Sequence, residues 1–92
     1  MAIELVEGPW RAGAVEALNY RVKTSKAIYL CRITDLAIFD DYSLSYEDYS
    51  LESAFEAHLP DILWRTERLL PPVLPAAEGK PDLVIKRGNA MP

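Results

Sequence analysis

The sequence predicts an α+β fold in which a small antiparallel sheet of three to four strands packs against one long kinked helix. Between residues 14 and 34, apolar residues alternate with polar ones or form an apolar run, both typical of strands. Between residues 51 and 70, apolar residues recur every three or four positions, which is typical of an amphipathic helix. At this length we expect a single domain over residues 1–92.

The first predicted element is an edge strand over the apolar residues 3–6, which Gly8 and Pro9 then break. Trp10 falls in the loop that follows. It is expected either to cover one end of the core or to offer its ring as a platform for a ligand.

Two further strands are expected to form a hairpin. Over residues 14–23, Leu18, Tyr20 and Val22 alternate with polar residues, which indicates one face in contact with water. A short polar turn over residues 23–26 leads into residues 26–34, which are nearly all apolar. Such a run is typical of a strand buried on both faces, so we expect this strand to be central.

The helical region follows. Residues 36–39 predict a short helical turn, capped by Thr34 or Asp35. Ser50 is a suitable N-cap for the main helix over residues 51–70. Pro60 interrupts this helix, which either kinks there or ends near His58 so that a second helix begins at the proline. We favour the kink because the apolar stripe keeps its phase.

The C-terminal part carries the remaining predictions. Four prolines are expected to keep residues 71–81 extended, and residues 83–85 are β-prone and predict a returning edge strand. Residues 88–92 are expected to be frayed. We expect the core to pair residues of the long helix with residues of the two central strands, namely Phe55, Ile62 and Leu69 with Leu18, Tyr20 and Leu30.

The composition excludes some functional classes. The net charge of −4 argues against nucleic-acid binding, since phosphate contacts need clustered bases. A nucleic-acid regulator would have to bring Arg11, Arg21, Lys23, Lys26 and Arg32 onto one face. The single cysteine fits a reducing compartment, and no signal peptide or membrane span is recognisable, so a cytoplasmic location is expected.

No catalytic signature is present: the sequence has no glycine-rich phosphate loop, no nucleophile elbow and no zinc-protease helix motif. One histidine and one cysteine are too few for an ordinary zinc site. We therefore expect a protein that is not an enzyme and that has no cofactor and no metal.

The most unusual segment is residues 33–64, which hold eight of the fourteen acids and no lysine or arginine. Tyrosines lie among these acids, and tyrosine is enriched at interfaces. We predict that this acidic, tyrosine-rich segment binds a basic partner protein; the alternative is a solvated loop whose tyrosines fold onto the core. The predicted partner-binding residues are Asp40, Asp41, Tyr42, Tyr46, Glu47, Asp48 and Tyr49.

A second functional hypothesis is a small-ligand pocket or minor enzyme at the junction of helix and sheet, formed by His58, Tyr20 and Cys31. Against it, a lone cysteine in an apolar strand is usually a small buried hydrophobe, and a lone histidine beside a proline usually packs locally. Because so short a chain has a small core, we also expect a homodimer to be a favourable state, paired through an edge strand or the helix.

Finally, the chain resembles the small bacterial proteins grouped as domain of unknown function 1488. The resemblance rests on a short apolar start followed by Trp10, a strand ending in Cys31-Arg32-Ile33, and a helix with Phe55, His58 and Ile62. It covers residues 3–70. It implies a small α+β domain and no particular activity.

Overall fold

The computed structural model of the chain describes residues 3–13, 15–42, 50–71, 75 and 80–91. The strands of this part are β1 (Glu4–Arg11), β2 (Ala17–Lys23), β3 (Ile28–Thr34) and β4 (Leu83–Ile85), and the helices are α1 (Asp35–Asp41), α2 (Leu51–Ala57) and α3 (Leu59–Leu69). The fold is α+β overall. The predicted antiparallel sheet and single long kinked helix are both wrong.

The sheet is mixed. Its strand order is β1-β2-β3-β4, with β1 and β2 antiparallel, β2 and β3 antiparallel, and β3 and β4 parallel. The helices carry the chain from the end of β3 back to the end where β3 began, so β4 runs in the same direction as β3. As predicted, β3 is a central strand and residues 83–85 form an edge strand.

The first strand is longer than expected, because Gly8 and Pro9 do not end it. Shifts in the register of β1 and β2, between Leu5 and Glu7 and between Glu7 and Trp10, absorb the irregularity as bulges. Gly8 has φ +106°, and a Cβ there would lie 2.9 Å from the Cα of Tyr20. Only glycine fits this approach. Trp10 is consequently part of β1, where it pairs with Asn19, and not part of a loop.

The long helix is divided into α2 and α3. Ser50 caps α2 as predicted, its side chain accepting from the Ser53 amide, and Thr34 caps α1 in the same way. His58 has non-helical angles (φ −111°, ψ 19°) and separates the two helices. Pro60 lies in the first turn of α3, where its missing N–H would have had no partner within the helix. The alternative of a break near His58 is therefore correct.

The hydrophobic core lies on one side of the sheet. It combines strand residues (Leu18, Tyr20, Val22, Tyr29, Cys31, Ile33, Leu83 and Ile85) with helical ones (Ala37, Ile38, Ala54, Phe55 and Ile62). The rings of Tyr20 and Phe55 lie 5.1 Å apart between their centroids. Leu69 is only partly buried against this core, and Leu30 is not part of it.

Strand β3 is buried on one face only, which corrects the prediction of burial on both. Tyr29, Cys31 and Ile33 point into the core, whereas the alternate residue Ile28 is 51% exposed. Side chains alternate along a strand, so Leu30 lies on the same side as Ile28, away from the helices.

The C-terminal segment after β4 is held by hydrogen bonds at residues expected to be frayed. The Gly88 amide donates to the Asp41 carboxylate at 3.0 Å, and the Asn89 carbonyl accepts from Arg65 at 2.9 Å. Most of the predicted extended connection over 71–81 lies outside the described residues. No helix in the described ranges is long and apolar enough to cross a bilayer.

Candidate functional site

The side of the sheet opposite the core, which we call the open face, is the candidate site. Cross-strand partners share a face, so the register defines its members. One row, Trp10, Asn19, Arg32 and Val84, crosses all four strands; the next rows are Glu7, Arg21 and Leu30, and then Glu4, Lys23 and Ile28. Within the described ranges, none of these residues belongs to the hydrophobic core or packs against it.

Trp10 and Arg21 form the first pair on this face. The Arg21 guanidinium lies 5.0 Å from the centroid of the Trp10 ring, a cation–π contact, and also forms an ion pair with Glu7. The indole is half-buried. These contacts hold a large aromatic side chain against the sheet and leave part of its ring in solvent.

Arg32 and Asn19 form the second pair. The Arg32 Nε donates to the Asn19 Oδ1 at 2.8 Å, and Asn19 is only 8% exposed. This bond orients the guanidinium. Among the described residues no partner is found for the two terminal amino groups of Arg32, so its charge-assisted donors remain available.

Two apolar residues are neighbours of Arg32 on this face. Val84 is the register partner of Arg32 on β4, and Leu30 lies two residues earlier on β3. Both are half-buried. An oriented cation with apolar neighbours can bind a carboxylate and an adjacent apolar side chain together.

The open face carries acids as well as bases. Its three rows hold three bases and two acids, and a third acid, Asp82, borders Leu30, whose amide donates to the Asp82 carboxylate at 3.0 Å. Glu7 pairs with Arg21, and Glu4 lies opposite Lys23 in the register. Arg32 instead has the uncharged Asn19 and Val84 as its cross-strand neighbours.

The acids predicted to bind a partner are engaged within the chain where the structure describes them. Asp40 forms an ion pair with Arg87 at 3.0 Å, and Asp41 forms one with Arg65 at 2.7 Å. The other predicted residues, Tyr46, Glu47, Asp48 and Tyr49, lie outside the described residues.

Tyr42 belongs to the same internal network. Its hydroxyl donates to the Asp61 carboxylate at 2.5 Å and accepts from Arg65 at 3.1 Å, and its ring stacks on His58 with 4.3 Å between centroids. Burial, and then the bond to Asp61, raise the pKa of Tyr42 to about 12. This cluster joins α1 to α3 and positions His58 as a packing partner of Tyr42.

The three residues of the alternative ligand pocket lie in two places: Tyr20 and Cys31 in the core, and His58 against the ring of Tyr42. Tyr20 and Cys31 are neighbours within the core, and the Tyr20 hydroxyl bonds to the Thr66 hydroxyl at 2.6 Å. Burial, and then the charge of Asp82, raise the pKa of the Cys31 thiol to about 12. A pocket beside Thr24 and Tyr29 and another beside Ile3 and Lys23 are lined by other residues.

The five bases considered for nucleic-acid binding do not all share one face. Arg21, Lys23 and Arg32 share the open face. Arg11 pairs with Asp35 at 3.1 Å, and Lys26 lies in the turn between β2 and β3. In the described part of the chain, no group of three or more His, Cys, Asp or Glu residues could hold a metal ion.

The sequence prediction did not assemble this site. The sequence predicts Trp10 in a loop and residues 26–34 as a strand buried on both faces. The signal was available: Ile28, Leu30 and Arg32 form one alternate set of β3, and Arg32 is its charged member.

No protein-family model, curated protein or solved structure matches this chain. The resemblance to domain of unknown function 1488 therefore stays a prediction.

Proposed function

We propose that this chain is a non-enzymatic binding module that uses the open face of its sheet to hold a partner protein. The observation that carries the proposal is Arg32, a guanidinium oriented by Asn19 at 2.8 Å with two terminal amino groups lacking a partner among the described residues. Arginine and tryptophan are among the residue types most enriched at the energetic centres of protein interfaces. Trp10 and Arg32 lie in one cross-strand row of this face.

The properties of Cys31 and Tyr20, two residues of the alternative ligand pocket, favour a binding module over an enzyme. Cys31, with a pKa raised to about 12, holds its proton at neutral pH and is a poor nucleophile. Tyr20 is buried in the core with its hydroxyl bonded to Thr66. Cys31 is a free, buried thiol, which supports a reducing, cytoplasmic location as part of the proposal.

A basic partner on the acidic, tyrosine-rich segment has less support. Asp40 and Asp41 already bind Arg87 and Arg65 of the same chain, so a basic surface would compete with those ion pairs. That partner stays a prediction from the sequence. A homodimer likewise stays a prediction, and it would be one way of occupying the open face.

Site-directed photo-crosslinking in cells that produce the protein tests the proposal. A photoreactive phenylalanine analogue replaces Leu30 on the open face, and in a matched control it replaces Glu56 on the exposed side of α2. We expect protein adducts from position 30 and none from position 56. We also expect Arg32→Gln to remove the adducts. Equal labelling from both positions, or none from position 30, contradicts the proposal.

A further inference from the structure

We infer that the partner presents an extended peptide segment with a carboxylate and an apolar side chain two residues apart. This inference rests on the proposed function and names the chemistry that the open face selects. It is carried by the arrangement of Arg32, Leu30 and Val84.

The carboxylate is assigned by the geometry of Arg32. The Nε of this residue donates to the Asn19 Oδ1 at 2.8 Å, and no partner is found among the described residues for its two terminal amino groups. Two parallel N–H donors in one plane match the two oxygens of a carboxylate, so such pairs are strong and directional. The cross-strand neighbours of Arg32, Asn19 and Val84, are uncharged, so the charge of Arg32 is complementary to an acidic segment.

The apolar residue is assigned by the neighbours of Arg32. Leu30 lies two positions away on the same strand, and Val84 lies beside Arg32 on the edge strand β4. Residues two apart on a strand are separated by about 6.8 Å. An extended peptide has the same repeat, so one of its side chains meets Arg32 while the next side chain on that face meets Leu30.

The same arrangement argues against single-stranded nucleic acid as the occupant. Binding to a sugar–phosphate backbone needs a track of unpaired bases and several exposed aromatic rings. On the open face Arg21 is paired with Glu7, Lys23 lies opposite Glu4, and Trp10 has Arg21 over its ring. Arg32 alone is a binding point for one carboxylate and not for a series of phosphates.

Fluorescence anisotropy with defined probes tests the inference. The main probe is a short labelled peptide in which glutamate and leucine alternate at every second position, with serine between them. A scrambled peptide of the same composition places glutamate and leucine next to each other, so that an extended chain turns them to opposite sides. A third probe is a single-stranded oligothymidylate.

We expect the alternating peptide to bind several times more tightly than the scrambled one, and the oligonucleotide not to bind. Arg32→Gln should weaken binding about tenfold to a hundredfold, the loss expected for a charge-assisted hydrogen bond. The matched control is Arg68→Gln on α3, whose guanidinium lies 4.7 Å from the Trp64 ring centroid. This control makes the same change in charge beside another tryptophan and should leave binding unchanged.

A second variant, Leu30→Ser, leaves the bond between Arg32 and Asn19 in place and should also weaken binding of the alternating peptide. Thermal unfolding of each variant confirms the fold. Equal binding of both peptides, or equal losses in Arg32→Gln and Arg68→Gln, overturns the inference. So does Arg32-dependent binding of the oligonucleotide, or self-association that Arg32→Gln abolishes, since these identify a phosphate chain or a second copy as the occupant. If position 30 still crosslinks to a protein while the peptide does not bind, the open face remains the proposed binding surface, and only the inferred acidic and apolar character of the partner segment is wrong.

Discussion

Replacing Arg65 by methionine is expected to destabilise the fold more than any other single change to a charged residue in the described part of the chain. Arg65 lies on α3 with none of its side-chain surface exposed, and Asp41 at the end of α1 is 7% exposed. The guanidinium donates to the Asp41 carboxylate at 2.7 Å, to the Tyr42 hydroxyl at 3.1 Å and to the Asn89 carbonyl at 2.9 Å. It thereby connects α1, α3 and the C-terminal segment.

The size of the effect follows from the charge left behind. Methionine fills much of the same volume, but Asp41 then keeps a buried carboxylate whose described partner is only the Gly88 amide. Breaking a buried pair by removing one partner costs about 3–5 kcal/mol. A chain of this length has a free energy of unfolding of about 5–14 kcal/mol, so the variant should lose between about a fifth of it and all of it.

Urea denaturation followed by far-UV circular dichroism measures this loss, and two comparisons make it specific. Arg87→Gln breaks the neighbouring pair with Asp40, whose side chains are 67% and 44% exposed, and should cost at most about 1 kcal/mol. Asp41→Asn should destabilise the wild-type protein but be neutral or stabilising when Arg65 is already methionine. The reasoning is refuted if Arg65→Met costs no more than Arg87→Gln, or if Asp41→Asn costs the same in both backgrounds.

Three further predictions concern the core, the first strand and the response to pH. Tyr20→Phe removes the 2.6 Å bond to Thr66 within the core and should lower the free energy of unfolding by about 1 kcal/mol in urea denaturation; no change would mean that this bond contributes nothing. Gly8→Ala places a Cβ 2.9 Å from the Tyr20 Cα at φ +106°, so the midpoint of thermal unfolding should fall by several degrees. An unchanged midpoint would show that β1 adapts at this bulge. Folding raises the pKa of Cys31 from 9.0 to about 12 and that of Tyr42 from 10.0 to about 12, so the unfolded chain loses these protons first and stability should fall as pH rises from 9 to 12. Urea denaturation at neutral pH and above pH 10 checks this, and equal midpoints would contradict it.

Local chemistry made part of the fold predictable from the sequence. Thr34 and Ser50 were recognisable as caps because a hydroxyl before a helix satisfies an amide of its first turn. The alternation of Leu18, Tyr20 and Val22 fixed which side of β2 is buried. These features depend on neighbours within a few residues.

The features that were wrong depend on contacts distant in the sequence. The direction of β4, three residues long, follows from the path of the helices before it and not from its own residues. The bulges of β1 exist because β2 supplies a partner on the other side of Gly8 and Pro9. Pro60 could have either kinked or divided the helix, and the local geometry at His58 decided for division.

The candidate site was hard to predict for the same reason. Trp10, Asn19, Arg32 and Val84 are scattered over the whole chain and meet only through the register of four strands. The acidic, tyrosine-rich segment was conspicuous in the sequence because its residues are contiguous. Two of its acids have partners in Arg65 and Arg87, which lie 24 and 47 residues away.

Mapping of the peptide-binding site by nuclear magnetic resonance tests the central claim most directly. The alternating acidic–apolar peptide is titrated into isotope-labelled protein while the Arg32 Nε–H, the two tryptophan indoles and the backbone amides are followed. We predict shift changes at the Arg32 side chain, the Trp10 indole and the Val84 amide, with the Trp64 indole on α3 unchanged. Changes centred on Trp64 and Arg68, or on Asp40 and Arg87, would contradict the assignment of binding to the open face.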